Sequence, residues 1–344
     1  MKHFRGSALI AAFALFGAIV ALSGSSPADA GQFPGTNGKI AYTKVQGGCE
    51  CWNVWVINAD GTGDTKLTVE APPPALPWVA EPSWSPDGTQ IAYTNYDNGD
   101  IYVMNANGSS PHKITTSGFN SLASWSPDGA HIVFESGRDG DQEIFVMNAD
   151  GTGQTPLTAN EFIADTDAQW SPDGVHIAFK SDRDGHEEIY VMNADGTNQT
   201  RLTNRAISDL SPDLPSWSPD GTHIAFSAYG VVDFTTRIFV MDANGSNQIP
   251  LTSGDARDYF PSWSPDGVHI TFTSVRDGHD EIYVMNADGT GQTRVTTTVD
   301  GTSWGSAWQS IPIVVPTTTT TVAPTTTAVP ADVAAVTATP AFTG

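Results

Sequence analysis

Carboxylates and histidines recur at fixed spacing along this 344-residue sequence, and each set suggests a chemistry that its spacing can test. Asp87, Asp128, Asp173, Asp220 and Asp266 each stand between Pro and Gly, and His131, His176, His223 and His269 follow four of them by three residues. Together they have the residue types of a metal centre. Ser-Pro-Asp-Gly is turn punctuation, however, so each Asp is expected to cap its own turn through backbone N–H groups. Equivalent positions of a repeat do not converge on one ion, whose ligand bonds are about 2 Å long. Gly301-Thr302-Ser303-Trp304-Gly305 spells a nucleophile elbow, but that motif needs a strand-to-helix turn and a downstream His, and no His follows His279. No catalytic residue is therefore expected.

Three further motifs read as structural. Arg138 with Glu143, Arg183 with Glu188 and Arg276 with Glu281 share one spacing, which predicts cross-hairpin ion pairs. Asp182, Asp184 and Glu187 look like part of a calcium loop without its full Asp-x-Asp-x-Asp-Gly pattern, so calcium is the one cofactor left open. Cys49 and Cys51, the only two cysteines, cannot make a disulfide scaffold, but in an exported chain they are expected to close a local disulfide.

The elements that carry these residues come from one repeated phrase: Ser-Trp-Ser-Pro-Asp-Gly, Ile-Ala-Phe, a polar turn, Glu-Ile-Tyr-Val-Met-Asn-Ala-Asp-Gly-Thr, then Leu-Thr. Its tryptophans are Trp84, Trp125, Trp170, Trp217, Trp263 and a degenerate Trp308, spaced 41 to 47 residues apart. Each unit divides into four short strands joined by tight turns. Runs such as Ile189-Tyr190-Val191-Met192 are apolar at every position, which predicts strands buried on both faces, as in radially stacked blades. The first unit lacks a Trp strand, whereas Ala307-Trp308-Gln309-Ser310 is a lone Trp strand with no unit after it. The expected fold is all-β: a six-bladed propeller of four-stranded antiparallel blades, closed by the C-terminal strand joining the first blade.

The Trp-Ser-Pro-Asp-Gly and Ile-Tyr-Val-Met-Asn segments resemble the TolB-type, WD40-like propeller repeat over residues 38–310. The resemblance implies a propeller, here expected without the TolB N-terminal α/β domain. Domain boundaries follow from composition. Residues 1–30 read as a cleaved secretory signal, with Lys2 and Arg5 ahead of an apolar run and Ala28-Asp29-Ala30 at its end. Residues 31–312 form the propeller, and residues 313–344 are a Thr/Pro-rich tail expected to stay disordered. The chain is thus placed outside the cell, or in the periplasm or cell envelope, with no transmembrane helix in its mature form.

A formal charge of -23 argues against nucleic acid, which needs clustered Lys and Arg, and leaves basic partners open. The non-repeated connections from each fourth strand to the next first strand ring one mouth of the central channel. Asn120, Asp165, Asp167, Asp209, Asp213, Asp255, Asp258 and Tyr259 fall there, beside Phe260 and the Pro-rich residues 71–77. These residues are the expected binding site of a monomeric, non-enzymatic scaffold for a protein or peptide. A metal-assisted carbohydrate (polyuronate) lyase and a purely structural envelope protein are the alternatives.

Overall fold

The computed structural model describes residues 35–45, 51–68, 78–204, 210–230 and 233–313. All of them belong to one compact unit ending at Ile313. The signal of residues 1–30, Cys49, residues 71–77, Asp209 and the tail from 314 onward lie outside the described residues.

Among the described residues, strands make six four-stranded antiparallel sheets, as the repeat predicts. The fourth blade shows the pattern. Its inner strand Asp165–Trp170 is followed by His176–Ser181, Glu188–Asn193 and a two-residue outer strand, Thr200–Arg201. Outer strands this short leave little edge for pairing with another chain. The first blade is completed from the other end of the sequence: Thr302–Ile311 pairs with Thr36–Val45, setting Trp308 opposite Ile40 and Ala307 opposite Ala41.

The core is a ring of seams between blades. Ile177, Ala178 and Phe179 are consecutive and fully buried, so both faces of one strand are covered. One cluster joins Val133 and Ile144 of the third blade to Trp170, Phe179, Tyr190 and Met192 of the fourth. The closing seam joins Ile40, Tyr42 and Trp308 of the first blade to Ile282 and Val295 of the sixth. Each such side chain contributes roughly 1.5–3 kcal/mol on burial.

The turns do more than reverse the chain. Asp173 caps its own turn, accepting from the Ser171 hydroxyl at 2.5 Å and the Val175 N–H at 3.0 Å, as expected of every Ser-Pro-Asp-Gly. The same turn packs on its neighbour: a Cβ on Gly174 would lie 3.4 Å from Pro127 of the preceding blade. The Asn-Ala-Asp-Gly turns fit more tightly still. A Cβ on Gly151 would fall 2.2 Å from the Ile114 carbonyl oxygen, with φ at +85°.

Gly185 has nearly the same φ, +86°, and no atom within 4 Å of its added Cβ. Replacing either glycine with alanine costs about 1–2 kcal/mol for the left-handed backbone. Gly151→Ala must in addition push the third blade off the second, costing about 1–3 kcal/mol more. Denaturant melts of both variants measure the difference; equal losses would show that the seam tolerates the added methyl.

Candidate functional site

One end of the propeller gathers the loops that could meet a ligand. N–H groups at the start of three inner strands, those of Asn120, Asp165 and the second residue Ser303, each donate at 2.8 Å to a carbonyl in the preceding blade's second-to-third turn, at Gly99, Gln142 and Asp280. Blade-to-blade connections and second-to-third turns therefore surround the same mouth. The Ser-Pro-Asp-Gly and Asn-Ala-Asp-Gly turns occupy the other face, with His131, His176, His223 and His269 spread around it at the starts of the second strands.

The structure sorts the expected mouth residues into three groups. Asn120, Asp165 and Asp258 are buried and held by arginines of their own blades. Arg138 reaches Asn120 at 2.9 Å, Arg183 holds both Asp165 oxygens at 2.9 Å, and Arg276 holds Asp258 at 3.1 and 3.2 Å. The spacing had assigned these arginines to Glu143, Glu188 and Glu281. Instead they turn toward the inner strand, stacking over the blade's aromatics, as Arg183 does 4.7 Å from the Tyr190 ring centre. The three glutamates accept from Thr158, Thr203 and Thr296 at 2.5 to 2.6 Å.

A second group lies at the rim, where Asp255 is exposed and Tyr259 is half-buried with its hydroxyl donating to Asp280. The third group, Asp167 and Asp213, sits deeper, at the channel waist.

The other motifs disperse. Asp182 accepts from the Ala164 N–H, Asp184 from Tyr190 and Arg201, and Glu187 from Ser211, so the three do not face a common point. Among the described residues no three His, Cys, Asp or Glu side chains come together as a metal-ligand group. Ser303 is buried within an inner strand and shares a hydrogen bond with Thr298 at 2.7 Å. Cys51 is buried and disulfide-bonded.

The waist is built by a feature that composition does not announce. Three residues before every repeat tryptophan the chain takes a left-handed conformation: Glu81, Leu122, Asp167, Leu214 and Phe260 have φ between 50° and 59°, and Gly305 has 62°. Pairing slips at these points, as between Thr166 and Gln169, which is the signature of a β-bulge. A non-glycine residue held this way costs on the order of 1–3 kcal/mol and persists where its surroundings enforce it. For Glu81, Leu122 and Asp167, as for Gly305, the bulge N–H is held by the preceding blade. Thr43 accepts the Glu81 N–H at 3.1 Å, Thr94 that of Leu122 at 3.2 Å, Glu135 that of Asp167 at 2.5 Å, and Thr273 that of Gly305 at 3.2 Å.

Lys180 occupies the equivalent second-strand position of the fourth blade. Its ammonium lies 3.0 Å from Asp167 and 2.8 Å from Asp213, bridging the fourth and fifth blades. The six left-handed residues line a cavity of about 100 Å³ on the axis.

Burial, then the charge of Asp213, pushes Asp167 well above the usual carboxylate range. Against the cost of burial, Asp167 and Lys180 hold Asp213 below it. Burial also raises Glu81, opposed by hydrogen bonds from Tyr96, Thr94 and the Leu122 N–H. Glu135 is pushed up to about 7 by burial, opposed by the Asp167 N–H and reinforced by the charge of Glu81.

Glu81, Glu135 and Lys180 escaped the sequence reading, yet a signal for them existed. They occupy the residue three before Trp and the residue after Ile-Ala-Phe, positions that vary from copy to copy in an otherwise regular repeat.

Because folding raises the pKa of Glu135, its contribution to stability is complete below about pH 4.5 and is lost as pH rises through about 7. Glu135→Gln keeps an oxygen for the Asp167 N–H. The variant should be more stable than the parent above pH 7 by about 1–3 kcal/mol, the gap closing toward pH 4.5. Thermal melts across that range provide the check; a gap independent of pH would contradict it.

Comparison with known proteins agrees with this geometry. The family model described as TolB beta propeller domain matches residues 30–228 and 213–310. TolB from Acinetobacter baumannii superposes with a TM-score of 0.67 at 24% identity, covering 79% of this chain and 66% of that one. The chain thus spans slightly under two thirds of that protein's length. A protein proposed as TolB from Agrobacterium tumefaciens gives 0.58 at 22% identity, covering 80% and 99%. The fold extends further: Kuenenia stuttgartiensis hydrazine synthase gives 0.63 at 14% identity, covering 80% and 47%. These likenesses share the propeller, and the family model, matching most of the chain, identifies it as a member of the TolB beta propeller domain family.

Proposed function

We propose that the protein is an exported, non-enzymatic propeller that binds a protein or peptide partner at the channel mouth, in the cell envelope or outside the cell. One observation carries the reading: large exposed aromatics gather on the mouth face. Trp78, Phe119 and Phe162 lie in connections between blades, and Phe234 lies in a second-to-third turn; Phe162 is 94% exposed and Phe234 70%. Four different blades contribute them. Phe162 is also held in place, its left-handed N–H donating to Asp141 at 2.7 Å. Rigid aromatics projecting from a scaffold are the usual anchors of protein interfaces. Valines, as at Val175 and Val268, are the exposed apolar residues in the turns of the other face.

The charge of -23 favours a basic partner and steers its approach. Export rests on the signal-like residues 1–30, and among the described residues no helix is long and apolar enough to cross a membrane. The scaffold works as a monomer without a cofactor in this reading. Neither the polyuronate lyase nor the purely structural alternative has a specific observation in its favour among the described residues.

Affinity capture from envelope and extracellular fractions tests the proposal. The parent should retain a defined partner that the triple variant Phe119→Ser, Phe162→Ser, Phe234→Ser recovers about tenfold less well, the order expected when several interface aromatics are lost. Equal recovery by parent and variant, or no partner for either, would overturn it.

A further inference from the structure

One seam departs from the other five. The residue after Ile-Ala-Phe is Thr43, Thr94, Ser227 or Thr273 in four blades, and the hydroxyls of Thr43, Thr94 and Thr273 accept the next blade's bulge N–H. The fourth blade has Lys180 at this position, and an ammonium cannot accept. The bulge N–H of the fifth blade, Leu214, goes instead to Oδ1 of Asp213 at 3.0 Å. The residue before the bulge is Ala80, Ser121, Thr166, Tyr259 or Trp304 in the other blades, so a carboxylate there is as exceptional as the lysine.

The exceptions meet. The Lys180 Nζ lies 2.8 Å from Oδ1 of Asp213 and 3.0 Å from Asp167, and the two carboxyl groups share a hydrogen bond of their own. Asp167 is buried and Lys180 mostly so, beside an axial cavity lined by Leu122, Ala168, Leu214 and Phe260. Burial and the charge of Asp213 keep Asp167 in its acid form. Against the cost of burial, Asp167 and Asp213 hold Lys180 protonated. The resting group is thus an ammonium, a carboxylate and a carboxylic acid. A buried ion pair gives little stability over apolar packing, so stability alone does not account for this arrangement.

We propose that Lys180 and Asp213 condense to an amide, a covalent bolt joining His176–Ser181 of the fourth blade to Leu210–Trp217 of the fifth. Asp167 passes its acid proton to Oδ2 of Asp213 and recovers one from the Lys180 ammonium. The freed amine attacks Cγ of Asp213 after a turn about the soft χ2 torsion, and the Leu214 N–H stabilises the charge that develops on Oδ1. The C–Oδ2 bond then breaks, and Oδ2 leaves as water with the proton from Asp167 and a second one from the amine. An ammonium and a carboxylate become an amide and water, Asp167 ends as the acid, and no co-reactant is consumed. Held in contact, the reacting groups reach effective concentrations on the order of 10⁵ M or more, which offsets the reluctance of a carboxylate to accept an amine. The bolt is independent of what the mouth binds.

Intact mass spectrometry of the purified full chain, with its disulfide reduced, reads the reaction. The parent should be one water molecule lighter than its sequence requires, and its tryptic map should lack cleavage after Lys180 and contain a branched fragment joining Lys180 to Asp213. Lys180→Arg keeps the charge without the nucleophile and should have full mass. Asp167→Asn keeps a hydrogen-bond donor toward Asp213 but cannot hand over a proton, so freshly purified protein should contain at least about tenfold less of the linked form. A parent of full mass overturns the inference, as does a branch at Asp167 instead of Asp213. Loss of water that Lys180→Arg retains would belong to a cyclic imide at an Asp-Gly turn, and it too overturns the inference. If either variant fails to fold, the mass and map of the parent decide alone.

Discussion

A blade of this protein has no polar face to turn toward water. Its middle strands are apolar at successive positions, so each sheet is stable only with another sheet on either side, and the requirement passes from neighbour to neighbour until the ring closes. Closure falls to Thr302–Ile311, which enters the first blade beside Thr36–Val45 and buries Trp308 against the sixth. The same logic explains why Pro-Asp-Gly and Asn-Ala-Asp-Gly turns are so uniform. Both pack on the preceding blade, and the Asn-Ala-Asp-Gly glycines do so at distances where a methyl group has no room, as Gly151 does against Ile114.

Closing the ring crowds six inner strands around an axis, and a bulge in each re-aims one residue into the channel. The left-handed backbone there is unfavourable for Glu81, Leu122, Asp167, Leu214 and Phe260. For Glu81, Leu122 and Asp167 it is sustained by a hydrogen bond from the bulge N–H to a side chain of the blade before. Symmetry ends with the backbone. The bulge residues are acidic in two blades, apolar in three and glycine in the first, so a repetitive frame presents a lopsided surface. Function in such a scaffold resides in the positions that the repeat leaves free.

Much of the frame is legible in the repeat. The tryptophan spacing, the turn residues and the complementary ends lead to six blades and a closing strand, because strand and turn chemistry is local and each copy confirms the last. Local reasoning failed where partners are distant in sequence. Arg183 and Glu188 sit at ideal hairpin spacing, yet Arg183 binds Asp165, since the inner strand brings a carboxylate to the guanidinium while the glutamate meets Thr203. Asp165 and Asp167, two residues apart, read alike as rim acids. One is locked by its own arginine, and the other sits at the waist between Glu135 and Lys180.

The amino-acid order by itself determined the class of fold, the blade number and which end completes which blade, because these depend on short-range periodicity and turn preferences. It also located the mouth loops. Only the tertiary structure decided which acidic residues are buried and which carry perturbed protonation. Those properties arise from side chains 30 to 45 residues or more apart meeting at an axis that exists only once the ring has closed.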